Sequence, residues 1–218
     1  SIGSLAWQFR DFPLFRAPEM AINAASQSLP VLMLVSFFGP TSAGFYTLAR
    51  TVMGIPVVLI GKSVGDVFYP RISEASHNNE NLYKLVSKAT LLLAGVGFVP
   101  FSLIVAFGPW LFSWVFGSEW YTAGEYSRWI AVWLFFLFIN NPSVKAIPVI
   151  KAQAFHLMFT CITILVRVLS LYVGYFYYGS DVVAIAIFGV VGAIVNITLI
   201  VFVLMKCAKL DIKESCYG

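Results

Sequence analysis

Charge is what this sequence has least of. Only 11% of its 218 residues are charged while 60% are apolar, and the mean hydropathy is +0.86. A water-soluble domain carries about 25% charged residues, so the deficit excludes an ordinary soluble domain and leaves the bilayer as solvent. The net charge of +4 is too diluted by apolar sequence to suggest a nucleic acid partner. Cysteine is sparse and irregular: Cys161, Cys207 and Cys216 offer neither a disulfide framework nor a metal-ligand spacing. His77 stands among Asn and Glu with no second His or Cys at ligand spacing, which makes it a solvated loop residue and no metal ligand. HExxH, GxSxG, a Gly-rich phosphate loop and an acidic pair within one span are all missing. These absences argue against an enzyme, against a cofactor and against ATP hydrolysis by this chain.

What is present is apolar runs. A spanning helix needs about 20 mainly apolar residues, so the expected fold class is all-α, a polytopic transmembrane helical bundle of about six spans. Residues 1–19 mix Trp7, Phe9, Phe12 and Phe15 with Arg10, Asp11 and Arg16. That mixture favours the headgroup region and reads as an interfacial lead-in. The six-helix lobe covers 20–206, and 207–218 follows as a cytoplasmic tail. Within the lobe the spans fall near Met20 to Phe38, Ala43 to Pro70, Ala89 to Phe112, Trp129 to Asn140, Ala154 to Tyr177 and Val182 to Met205. Pro70-Arg71 should end the second span, and the polar stretch after it reads as a loop. Pro100 and Gly95-x-Gly97 mark bends in the third. Asn140-Asn141-Pro142 leaves the fourth either kinked or short with a second piece behind it. Lysine and arginine gather on alternate loops, and Arg128 stands alone on the other side with Glu119, Glu125 and Asp181. By the positive-inside rule both ends are expected in the cytoplasm.

Charges inside the spans carry the chemistry. A charge near the centre of a helix costs at least about 2.5–3.5 kcal/mol in hydrocarbon and usually faces a bundle interior or a watery cavity. The second span holds Arg50, Lys62 and Asp66. Lys62 and Asp66 are i, i+4 partners and read as a salt bridge near one surface, whereas Arg50 has no acid at i±3 or i±4. Gly61-x-x-x-Gly65 offers a close-approach surface for a neighbouring helix. In the fifth span His156, Thr160, Thr163, Arg167, Ser170 and Gly174 fall on one stripe at about 100° per residue. The stripe lines a cavity or holds helices together. In the first span Asn23, Gln27 and Pro30 share a face, with the same two readings open. Two deep arginines with almost no deep acid point to an anionic ligand, because a guanidinium matches phosphate oxygens in bidentate fashion. Arg50, Arg167, Thr163, Asn23 and Gln27 are therefore the candidate substrate-binding residues.

The sequence also resembles a family. Arg16-Ala-Pro, Ser26-Gln27-Ser28-Leu-Pro30, Phe37-Phe38-Gly39, Gly44-Phe45-Tyr46-x-Leu-Ala-Arg50, Val67-Phe68-x-Pro70-Arg71 and Phe116-Gly117-x-x-Trp120 are similar to the polysaccharide-export flippases. These are the lipid-linked oligosaccharide (O-antigen type) transporters of the multidrug/oligosaccharidyl-lipid/polysaccharide superfamily. The resemblance implies a two-lobed transporter of which this chain is the C-terminal lobe, with the N-terminal lobe as partner. The opening on Ser1 in place of Met fits a piece of a longer protein. It also implies a bacterial inner-membrane location and movement of an undecaprenyl-pyrophosphate-linked glycan through a cationic cavity, as in O-antigen and lipopolysaccharide biosynthesis. Two other readings stay open: a drug or cation antiporter of the same superfamily, for which Asp66 is the one intramembrane acid, and a membrane scaffold that transports nothing.

Overall fold

The computed structural model describes residues 17–78 and 80–215, with side chains described over 26–78 and 80–211. Among the described residues seven α-helices follow one another: α1 (Ala17–Phe38), α2 (Pro40–His77), α3 (Leu82–Phe116), α4 (Tyr121–Ile139), the short α5 (Asn141–Ala146), α6 (Gln153–Val173) and α7 (Asp181–Ser215). A 3-10 turn at Ser118–Trp120 leads into α4, and a π-helical turn at Gly174–Tyr178 closes α6. No strand occurs among the described residues, so the all-α expectation holds. Among the described residues five stretches are long and apolar enough to cross a membrane: Pro40–His77, Leu82–Phe116, Ser118–Ala146, Gln153–Tyr178 and Asp181–Asp211. Of α1, which has 22 residues, the part with described side chains is the shorter apolar stretch Ser26–Phe38. The chain is a multi-pass membrane protein. Of the expected lead-in at 1–19, residues 1–16 lie outside the described residues, and 17–19 already belong to α1.

α4 sits at the centre and packs on α3, α7 and α2. Ala123, Tyr126, Ile130 and Ala131 on it are wholly buried. Helices in lipid associate by close packing of small residues, since lipid tails are as apolar as leucine. Gly124 of α4 lies against Pro109 of α3, where an added Cβ would come 2.4 Å from the Pro109 Cα. Gly189 of α7 meets the Trp129 carbonyl of α4 in the same way, and Gly174 meets Ala184. Pro109 has no N–H and so leaves the Val105 carbonyl without its helical donor. Arg128 of α4 supplies one: its Nε donates to Val105 O at 2.7 Å and its Nη2 to Ala106 O at 3.1 Å. The lone arginine of its side thus has a structural task.

A second apolar cluster lies at the other end, built from Phe68, Ile72, Leu82, Val86, Ile147 and Val203 among others. It explains why Pro70-Arg71 does not end the helix as expected. Proline is tolerated in membrane helices, and the turns after it bury Ile72 and Ala75 completely. At about 1.5 Å per residue the 38-residue α2 is roughly 57 Å long, well beyond the roughly 30 Å hydrocarbon core. Leaving the membrane and ending the helix are different events. His77 is accordingly the last helical residue and not part of a loop. α3 likewise starts at Leu82 and runs unbroken through Gly95, Gly97 and Pro100 to Phe116. The break after α4 is resolved as two pieces: α4 ends at Ile139 and α5 restarts with Pro142 in its first turn, where the missing N–H costs nothing. Asn140 bridges the break by donating from Nδ2 to Asn196 Oδ1 of α7 at 2.9 Å.

Past Lys206 the expected tail begins as helix. α7 continues to Ser215, Cys207 is buried, and Asp211 accepts from the Leu82 and Tyr83 amides at 3.0 and 2.9 Å. Those amides are orphan donors at the start of α3, so the acid holds the end of α7 in place. Between α2 and α3, Arg71 donates through both Nη atoms to Glu80 and holds its carboxyl below the usual range. That contribution is full above the ordinary carboxylate pKa and is lost as pH falls through the lowered value.

Backbone-to-backbone contact at Gly124 leaves no room to relax. Gly124→Ala is expected to lower stability by about 1–3 kcal/mol. Gly44→Ala, with nothing within 4 Å, should be neutral or stabilise by up to about 1 kcal/mol. Thermal unfolding of the purified protein in detergent checks this; equal midpoints for the two variants would remove the tight α3–α4 crossing from the argument.

Candidate functional site

A cleft of about 620 Å³ opens between α1, α2, α4 and α6. Its polar end is built by Gln27, Tyr46, Arg50 and Arg167, and its other wall by Ile55, Val58, Leu59 and Leu137. Three of those apolar residues are largely exposed, Ile55 at 56%, Val58 at 67% and Leu59 at 62%, so the cleft faces outward along α2. The two deep arginines expected from sequence do converge on it, from different helices.

Each is held differently. Arg50 donates from Nη1 to Gln27 O at 3.1 Å and from Nη2 to Gln27 Oε1 at 3.3 Å, which ties α2 to α1. Arg167 has no acid within ion-pair distance among the described residues and lies in the corner formed by two rings that meet edge to face. Its Cζ is 3.9 Å from the Trp133 centroid and 4.1 Å from that of Phe188. Arg50 approaches the same indole at 5.9 Å. Among the described residues the ion pairs are those of Arg71 with Glu74 and Glu80, and none of these residues gives either cleft arginine a counter-charge. The Tyr46 hydroxyl and Arg167 Nε there are also buried with no hydrogen-bond partner among the described residues. Buried polar atoms are ordinarily hydrogen-bonded. Two cations and two spare donors in one place suit a ligand with several negatively charged oxygens.

Of the other expected positions, Gln27 lines the cleft, whereas the side chain of Asn23 lies outside the described residues. Thr163 does not line it; its Oγ1 donates to Phe159 O on its own helix at 2.8 Å. Of the whole α6 stripe, Arg167 alone reaches the cleft. Thr160 and Ser170 are buried, and Gly174 is pressed onto α7, so the stripe mainly packs helices. Lys62 and Asp66 make no ion pair, contrary to expectation: both are exposed. A lysine four residues before an acid is the weaker order on a helix, and extended side chains in contact with solvent lose little by staying apart. Gly61 and Gly65 do seat a neighbour, since Asn141 and Lys145 of α5 cross them. Sequence reasoning passed over Tyr46 and Trp133. Tyr46 was findable, lying at i−4 from Arg50 on the same face; Trp133 gave no local signal.

Residues 17–125, half of the chain, match the family model described as polysaccharide biosynthesis protein. Over 135 residues the chain is 24% identical to the teichuronic acid biosynthesis protein TuaB of Bacillus subtilis, a match that covers 62% of this chain and 28% of that relative. The chain therefore spans little more than a quarter of the relative it matches. No solved structure matches. The family match includes Gln27, Tyr46 and Arg50 and stops before Trp133 and Arg167.

The indole position depends on Gly192 of α7, where an added Cβ would stand 2.7 Å from Trp133 Cδ1. Gly192→Ala should lower the unfolding midpoint, by about 1–3 kcal/mol in free energy. Trp133→Phe on that background should recover part of the loss by vacating the contact. Purely additive losses in the double variant would show that the contact does not set the ring.

Proposed function

The chain belongs to the polysaccharide biosynthesis protein family, and from that premise we propose that it is one lobe of a flippase for a lipid-linked glycan. The observation that carries the proposal is the cleft: two arginines without a counter-charge among the described residues at one end, exposed apolar residues of α2 at the other. A pyrophosphate with a long isoprenoid chain has the same division. The guanidinium groups of Arg50 and Arg167 take phosphate oxygens as charge-assisted, bidentate donors, the Tyr46 hydroxyl adds a neutral donor, and Ile55, Val58 and Leu59 lie against the hydrocarbon chain. The glycan then crosses beside a second lobe of the same protein, from the cytoplasmic to the outer leaflet of a bacterial inner membrane. The role of the chain is transport and not catalysis. Asp66, the acid an antiporter would need, is exposed and does not line the cleft, so that reading gains no support.

In the full-length protein, Arg50→Ala and Arg167→Ala should each abolish glycan export while the protein reaches the membrane at its normal level. Arg→Lys at either position keeps the charge and loses the fork, and should restore export in part. Export surviving both alanine changes sinks the phosphate cleft, and loss with Asp66→Asn alone would favour the antiporter. The proposed orientation puts both ends of this chain in the cytoplasm. With Cys161, which is exposed, replaced by serine, an impermeant thiol reagent should reach Ser118→Cys in intact cells and Asn78→Cys only after lysis. The reverse pattern overturns the orientation.

A further inference from the structure

Away from the cleft, the first turns of α3 carry a surface groove of about 460 Å³ lined by Tyr83, Lys84, Ser87, Lys88, Leu91 and Leu92. Lys84 and Lys88 are exposed one turn apart, and among the described residues no acid lies within ion-pair distance of either. Two described acids at this end of the bundle are engaged elsewhere: Glu80 by Arg71, and Asp211 by the amides of Leu82 and Tyr83. The groove therefore presents two uncompensated cations at the end of a spanning helix.

What lies beyond them along the helix gives the ligand its shape. At about 100° per residue Lys84, Lys88, Leu91, Leu92, Gly95 and Val99 share one face. Leu91, Leu92 and Val99 are exposed by 69%, 61% and 62%. Gly95 interrupts the stripe, and a Cβ built there meets nothing within 4 Å. From Lys88 to Val99 the helix rises about 16 Å, close to half of the roughly 30 Å hydrocarbon core. A lysine pair thus stands over an apolar, notched strip one leaflet deep.

We infer that this groove binds one anionic phospholipid of the surrounding bilayer. Its phosphate rests between the Lys84 and Lys88 ammonium groups with the Ser87 hydroxyl beside them, and an acyl chain follows Leu91 to Val99 through the notch at Gly95. Lysine serves here as a compact point charge for phosphate, and a basic pocket at the membrane surface is where anionic head groups collect. The site is separate from the arginine cleft and does not depend on the substrate proposed for it.

Native mass spectrometry of the full-length protein, titrated with phosphatidylglycerol and with phosphatidylcholine, tests this. The expected result is one phosphatidylglycerol bound in preference to phosphatidylcholine. Lys84→Gln with Lys88→Gln should weaken it roughly thirtyfold. Gly95→Leu, which fills the notch at unchanged charge, should weaken it too. Lys206→Gln with Lys209→Gln, the same loss of charge on α7, should leave it unchanged. An equal loss in that control, equal binding of the two lipids, unchanged binding in Gly95→Leu, or displacement by inorganic phosphate would each overturn the proposal. The first would make the effect diffuse attraction and the last a site for free phosphate.

Discussion

The stacking of Arg167 on Trp133 is the contact that the cleft depends on. Trp133 is 6% exposed and wedged over Gly192, and its ring turns one face to the Arg167 guanidinium at 3.9 Å. Phe188 flanks the same guanidinium at 4.1 Å, roughly at a right angle to the indole, and packs edge-on against both Trp133 and Tyr46. A cation over an aromatic face gains about 0.5–2 kcal/mol, whereas taking a charge out of water costs several kcal/mol even after relaxation. The rings therefore hold the arginine in place without compensating it.

That contact is possible because the helices around α4 approach one another through glycines. Gly124 admits α3, Gly189 and Gly192 admit α7. Close approach in turn leaves polar backbone at risk wherever proline interrupts a helix, since no water reaches it in hydrocarbon. The repairs are local and specific: Arg128 serves the carbonyl that Pro109 strands, and Asn140 with Asn196 spans the gap before α5. Rigid packing on three sides of α4 leaves α1 and the exposed wall of α2 as the open side of the cleft.

Fold class and the two arginines were legible because they follow from composition and from charges standing alone in apolar runs. Other features were not. Pro70 looked like a helix end because apolar sequence ends there, yet burial of Ile72 and Ala75 against α3 carries the helix on to His77. Lys62 and Asp66 had the spacing of a pair, but their exposure removes the gain that would hold them together. Trp133 was invisible because its importance lies in a glycine some sixty residues away. Local pattern fixes which face a residue is on; what that face meets is a property of the assembled bundle.

The α6 stripe makes the same point in the other direction, and it separates the two arginines. A polar stripe on a membrane helix has two uses, lining water or packing on a neighbour, and its periodicity is identical in both. Gly174 against Ala184 and the burial of Thr160 and Ser170 assign most of the stripe to packing, so Arg167 reaches the cleft from an otherwise closed seam. It is fixed there, because moving it would open the Trp133–Phe188 contact. Arg50 stands on the open side, and its bonds to Gln27 at 3.1 and 3.3 Å lie toward the long end of the hydrogen-bond range. It can exchange Gln27 for another acceptor without disturbing the core. One arginine is an anchor held by the rings of α4 and α7, and the other, bonded to α1 through Gln27, stands on the open side.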